Sequence, residues 1–186
     1  ILAAVGIDGG QLPRLHEGRA ATGTLTAEVA RRWGLGPDVI VAAGAGDSAA
    51  GAIGVGAVEE GDSLISLGTS AQIFVTRDRY EPKPATLIHV FAHALPGRWF
   101  EQAALLNGAA ALDWMAGLAG TDVGALIAAV EANFTGPSRG MVLPDLAVEL
   151  TPLNDPDARG AFAHLEYADG VNDLAKAVME GIAFSL

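Results

Sequence analysis

The chain has 186 residues, 51% hydrophobic and only 18% charged, with a formal net charge of −11. That leaves room for one large domain, or one domain plus part of another, around a substantial core, and makes disorder an unsuitable reading. An acidic chain without a Lys/Arg cluster argues against nucleic-acid and anionic-membrane binding, and zero cysteines exclude disulfides, thiolate metal sites and cysteine nucleophiles.

From the start, residues Thr24 to Trp33 predict a short helix, with Thr26 as its N-cap and Gly34 as its stop. The run "VIVAA" at 39–43 reads as a short buried strand, after which Asp47 opens a helix through about Gly54 whose side chains are tiny. "SLISLGTSAQIFVTR" (63–77) has β-rich arms around Gly68-Thr69-Ser70, a hairpin pattern. "RWFEQAALL" (98–106) reads as a strand, with Asn107 a candidate cap for a helix to about Gly117. Val123, Leu126, Ile127, Val130 and Phe134 recur at helical spacing before Gly136-Pro137. Residues 136–160 are loop-rich, and a last helix from about Asn172 places Leu174, Ala177, Val178, Ile182 and Leu186 on one face. Alternating strands and helices predict an α/β domain.

The weakly charged stretch Ala103 to Gly120 contains Asn107, Asp113 and glycines, which makes a poor membrane span. No basic segment precedes a short apolar run at the start, so no secretory signal is read and a cytoplasmic setting is expected. Ile1 stands in place of a starting methionine, and the last helix pattern reaches Leu186 without a cap. An internal piece of a longer protein is expected.

Candidate chemistry concentrates at three places. Asp47 lies in "VAAGAGDSAAGAIG" after an apolar strand, and two readings stand side by side. It could cap its helix by accepting an amide hydrogen bond, or be a carboxylate at a strand's C-terminal edge that accepts a substrate hydroxyl proton. The Gly68-Thr69-Ser70 turn is either plain hairpin geometry or a phosphate cradle of backbone N–H groups and two hydroxyls. Asn107-Gly108, at a strand-to-helix junction, is a cap or an anion site at a helix N-terminus. His89 and His93 are four apart, but "LIHVFAHAL" reads as extended, which would set the imidazoles ~13 Å apart. They are read as structural, and no metal site is expected.

Taken in order, "VAAGAGDSAAGAIGVGAV", "SLISLGTSAQIFV", "HVFAHALPGRW", "LLNGAAALDWMAGL" and "TPLNDPDARGAF" resemble sugar kinases of the FGGY carbohydrate kinase family. Gly160, Phe162, Leu165, Asp173, Leu174, Ala177, Val178, Met179 and Glu180 match the spacing of that family's second signature. The resemblance implies an actin-like, ribonuclease-H-like ATPase fold in two domains. Residues 1–56 would end the first, sugar-binding domain, and residues 57–186 would open the second, nucleotide-binding one. It also implies ATP and Mg2+ as cofactors and a small-molecule sugar as partner, with no nucleic acid or membrane, and leaves a homodimer open. The implied reaction is phosphorylation of a ketopentose, D-xylulose first, with ribulose, gluconate or glycerol as alternatives. By the same resemblance Asp47 is the catalytic base, with Ser48 beside it in sugar binding. Gly68, Thr69 and Ser70 meet the nucleotide phosphates, and Gly108 to Asp113 line the nucleotide site. From a different class, the alternative is a non-catalytic actin-like module.

Four departures stand out. Ser48 replaces a common Asn, and "AVELTP" (147–152) keeps Glu149, Thr151 and Pro152 of a Gly-Glu-Arg-Thr-Pro pattern but loses its Gly and Arg. His164 takes a position that is normally glycine. The family's metal-binding phosphate loop and its glycine-rich adenosine motif have no counterpart in these residues, so this chain alone is expected to be inactive.

Overall fold

The computed structural model describes residues 1–186. After a one-turn helix, α1 (Leu2–Val5), and a short 3-10 turn, strand β1 (Ala21–Thr24) leads to α2 (Ala27–Trp33). Thr26 Oγ1 accepts the Val29 N–H at 3.3 Å, and Gly34 ends the helix at φ 66°. Both caps stand as predicted, although the helix starts at Ala27 because β1 claims Thr24. Strand β2 (Ile40–Ala42) pairs antiparallel with β1 alone, and α3 (Asp47–Val55) follows.

Strands β3 (Ser63–Leu67) and β4 (Ala71–Arg77) form the predicted hairpin, in register from Ser63↔Val75 to Leu67↔Ala71. With β5 (His89–Ala92) and β6 (Trp99–Leu105) they make a four-stranded antiparallel sheet in the order β3-β4-β6-β5. Helices α4 (Ala110–Ala119) and α5 (Val123–Ala132) come next. A small β7 (Met141–Leu143) and β8 (Ala161–Ala163) pair and α6 (Val171–Ser185) complete the chain. No single helix is long and apolar enough to cross a membrane.

Two apolar cores hold these elements. The larger joins Leu112, Met115, Leu126, Val130, Val178 and Ile182 from α4, α5 and α6. Gly181 allows α6 to lie against β7, since a Cβ there would sit 2.6 Å from the Val142 carbonyl oxygen. In the second core, Ala49 and Ala52 of α3 pack on Phe74 and Phe100 of the sheet, whose rings stack at 4.3 Å. The small side chains of α3 thus let the helix lie close to the sheet.

One expectation is overturned. The strand at 39–43 is present but not buried: Ile40 is 66% exposed, and Val39 and Val41 are exposed as well. A continuous apolar run signals burial only where other elements cover both faces. Here β2 has one neighbour, β1, itself exposed along its whole length.

Candidate functional site

Asp47 sits five residues beyond the end of β2, as the first residue of α3. The N-cap is Gly46, not Asp47, and it makes no side-chain cap bond. The carboxylate of Asp47 instead accepts the N–H of Ser48 through Oδ1 at 2.8 Å, and the group is exposed. The cap reading in its ordinary form is therefore incorrect. What remains is an exposed carboxylate in the first turn of α3, bonded only to the next residue's N–H.

A cleft of about 360 Å³ opens between α3 and the β3–β4 hairpin, lined by Asp47, Ser48, Gly51, Ser66 and Gln72 among others. The structure thus brings Asp47 and Ser48 to the same cavity as the strand ends that carry the Gly68-Thr69-Ser70 turn. Gln72 joins the two sides. Its Oε1 accepts the Ser48 hydroxyl at 3.2 Å and also the side-chain N–H of Gln102 from β6. Sequence reading passed over Gln72 and Gln102. The available signal was a glutamine within each of two strand-like runs, Gln72 in "AQIFV" and Gln102 beside Glu101 in "FEQAAL".

The turn has a distinctive hydrogen-bond pattern. Gly68 N–H donates to the Ser70 carbonyl at 2.9 Å, whereas the N–H groups of Thr69 and Ser70 donate to no group in the chain. Both residues are exposed. The turn carbonyls face the start of α4: Thr69 O accepts from Gly108 and Ala110 at 3.1 and 3.2 Å, and Gly68 O accepts from Ala109 at 2.8 Å. Contact is so close that a Cβ on Gly108 would lie 2.6 Å from the Ser70 carbonyl carbon.

Two expectations change here. The N-terminus of α4 is not a free anion site, because three of its N–H groups are taken by turn carbonyls. Asn107 is not a helix cap either. The cap residue is Ala109, and Asn107 is buried with its side chain bonded to Ala147, Val148 and Glu149. A contact 40 residues away has no local sequence signal. Asp113 lies in the first turn of α4 and is exposed.

Cations are concentrated elsewhere. Arg77, at the end of β4 away from the turn, bonds Glu101 and Glu60. The Glu101 hydrogen bond foremost, then that of Glu60, holds the Arg77 guanidinium above its usual range. No Lys or Arg lines the Asp47 cleft. An anion there would be met by backbone N–H groups and hydroxyls, which the turn supplies.

His89 lies in β5 and His93 just beyond it, so the extended reading of that run holds. His93 is buried against Phe74 and Phe100; its Nδ1 accepts the Leu95 N–H at 3.1 Å. Burial lowers its pKa, partly offset by the nearby Ala57 carbonyl, although Nε2 reaches no partner in hydrogen-bond geometry. That carbonyl already accepts the Thr76 hydroxyl at 2.8 Å. His164 has φ 60°, which is the physical reason a glycine suits that position.

Comparison with known proteins bears on this geometry. Residues 1–54 match the N-terminal domain, and residues 63–186 the C-terminal domain, of the FGGY family of carbohydrate kinases. The chain is 43% identical to a xylulose kinase of Escherichia coli strain K12, over 100% of this chain and 38% of that protein. The crystal structure of a xyloylose kinase from Brucella ovis superposes with a TM-score of 0.91 at 42% identity, covering 99% of this chain and 38% of that one. A gluconate kinase from Lactobacillus acidophilus shares the fold, with a TM-score of 0.85 at 24% identity, covering 98% of this chain and 38% of that one. The chain therefore spans 38% of the length of these relatives and carries part of the actin-like, ribonuclease-H-like ATPase fold. By both domain matches, it belongs to the FGGY family of carbohydrate kinases.

Proposed function

We propose that the full-length protein containing this chain transfers the γ-phosphoryl group of ATP to a hydroxyl of a ketopentose, D-xylulose first. The carrying observation is that Asp47 and the strands of the Gly68-Thr69-Ser70 hairpin bound one cleft, while Thr69 and Ser70 keep unpaired N–H groups. The named relatives from Escherichia coli and Brucella ovis support the choice of sugar. In this reading residues 1–56 end a sugar-binding domain and residues 57–186 open a nucleotide-binding one, which the separate matches at 1–54 and 63–186 support.

Asp47 accepts the proton of the attacking sugar hydroxyl, and the oxygen then bonds the γ-phosphorus as the bond to the ADP oxygen breaks. Its placement as the first residue of α3 turns the carboxylate toward the cleft that it shares with the β3–β4 hairpin. Thr69 and Ser70 offer two N–H groups and two hydroxyls to phosphate oxygens, and Gly108 holds the turn against α4. Ser48, bonded to Gln72, keeps the base registered against β4. Asp113, exposed in the first turn of α4, is assigned to the nucleotide site in the same reading. Mg2+ accompanying the nucleotide would neutralise phosphate charge, and no group of three or more His, Asp or Glu side chains here is arranged to hold it. Phosphoryl transfer rests chiefly on positioning and electrostatic stabilisation, and a positioned base typically adds ~10²–10⁴-fold.

The departures around Glu149 do not dismantle this arrangement. Val148 and Leu150 replace the Gly and Arg, yet both oxygens of the Glu149 carboxylate accept hydrogen bonds. The test is a substrate panel on the full-length protein, read by ADP release with D-xylulose, ribulose, gluconate and glycerol. Turnover highest with D-xylulose supports the reading, and ADP release independent of every sugar removes it. The 186-residue chain alone is expected to give no sugar-dependent ATP hydrolysis.

A further inference from the structure

Glu149 is a buried carboxylate outside the reaction just described. It is 5% exposed, as is Asn107, and no cation is bonded to it. Its charge is met only by hydrogen bonds. Oε1 accepts the Leu150 N–H at 2.8 Å and Oε2 accepts Asn107 Nδ2 at 3.3 Å. Asn107 is held on two further sides: Nδ2 donates to the Val148 carbonyl at 3.0 Å, and Oδ1 accepts the Ala147 N–H at 3.2 Å. The strap that supplies these groups is anchored in turn. Glu149 and Asp155 exchange both main-chain hydrogen bonds, at 3.1 and 2.9 Å, and Thr151 N–H donates to Ala104 of β6 at 3.2 Å.

Burying an unpaired carboxylate is costly, and an apolar residue would serve a purely structural role at least as well. The charge fixes the direction of Asn107, and Asn107 leads straight into Gly108. Between Gly108 and the turn there is no slack, since even a methyl group would overlap Ser70 and Gly68. Three main-chain bonds from Gly108, Ala109 and Ala110 then fix Thr69 and Gly68. A continuous set of contacts thus runs from the strap through the start of α4 to the two unpaired N–H groups of the turn.

We infer that Asn107 and Glu149 are positioning residues that aim the Thr69 and Ser70 N–H groups at the nucleotide phosphates; this rests on the kinase reading above. Neither touches substrate. Glu149→Gln is the discriminating change, because the amide keeps the shape but turns one acceptor into a donor. Whichever way that amide is oriented, its NH2 faces either the Leu150 N–H or Asn107 Nδ2, both donors.

In the full-length enzyme, with ATP and D-xylulose varied separately, Glu149→Gln should raise the KM for ATP about tenfold, the scale of one lost bond to a charged group. The KM for the sugar should stay within about twofold, the scale of a site left untouched. An equal rise in both constants, or no change in either, would overturn the inference. Should Glu149→Gln not fold, hydrogen exchange on the unaltered full-length enzyme decides. Added ADP should protect residues 69–70 and 147–150 together. Protection at 69–70 without 147–150 overturns the positioning role alone, whereas none at 69–70 overturns the nucleotide reading and the inference with it.

Discussion

Residues 1–56 and 57–186 are both rich in apolar side chains, but they bury them differently. In the first part only Ala30, Ala49 and Ala52 are buried, while Ile40, Val41, Ile53 and Val55 stay exposed. In the second, Phe74, Leu112, Met115, Leu126, Val178 and Ile182 are all buried. Composition therefore does not decide burial; the number of elements that can stack on a segment does. The β1–β2 pair offers no second layer, whereas α4 and α5 packed on α6, and α3 on the four-stranded sheet, each form one. The proposal that residues 1–56 end a larger domain accounts for the exposed apolar face, since further elements of that domain would cover it. Asp47 stands where these two regions meet.

The strongest break of that comparison comes from its two extremes. Phe74, fully buried and stacked on Phe100, should cost about 3–5 kcal/mol as Phe74→Ala. Ile40→Ala in the same 186-residue chain should change stability by no more than about 0.5 kcal/mol, as expected of an exposed site. In the full-length protein the same Ile40→Ala should cost about 2 kcal/mol or more. Denaturant melts of both lengths check this. An equal cost of Ile40→Ala in the two would show that β2 stays uncovered.

Within the packed region, Thr69→Val removes one hydroxyl from the turn while keeping its carbonyl contacts to α4. Nucleotide affinity or transfer should weaken by about 1.5–3 kcal/mol, with sugar binding nearly intact. Titrations of full-length enzyme with ATP and with sugar separate the two, and an unchanged ATP dependence would reduce the turn to hairpin geometry. His164 at φ 60° predicts a smaller gain, about 1 kcal/mol of added stability for His164→Gly, read from the melting midpoint.

The smallest effect concerns pH. Burial lowers the pKa of His93 below its ordinary 6.5, so the folded chain keeps the ring neutral where the unfolded chain binds a proton. Its contribution is complete above the unfolded value and is lost as pH falls through the window between 6.5 and the lowered folded value. Melting temperature should therefore drop from about pH 7.5 to about pH 5.5, and His93→Gln should lessen that drop. An identical drop in the variant would assign it to other groups.

Much of this architecture was legible in the sequence. Thr26 and Gly34 cap α2 because capping is a local matter, and the 63–77 hairpin shows because β-rich arms flank a Gly-Thr-Ser turn. The apolar spacing named Leu126, Val130, Val178 and Ile182 of one core, but Ile127 and Phe134 of the same pattern are exposed, Phe134 because α5 ends at Ala132. What stayed hidden was long-range. Asn107 looked like a cap because its partners, Ala147 to Glu149, lie 40 and more residues downstream. The amides of α4 looked free because their acceptors are carbonyls of a turn in another element. Gln72 carried no motif, and only folding sets it against Ser48.

The proposed mechanism turns on Asp47 as a base, and Asp47→Asn in the full-length enzyme tests that most directly. The amide oxygen can still accept the Ser48 N–H that the carboxylate now holds at 2.8 Å, so the start of α3 should be kept. It cannot take a proton from a sugar hydroxyl. Thermal melting measured beside the rate of D-xylulose phosphorylation should give an unchanged midpoint and a rate lower by at least ~10²-fold. An unchanged midpoint with near-normal turnover would mean that Asp47 does no more than bond Ser48, and the proposed mechanism would be wrong.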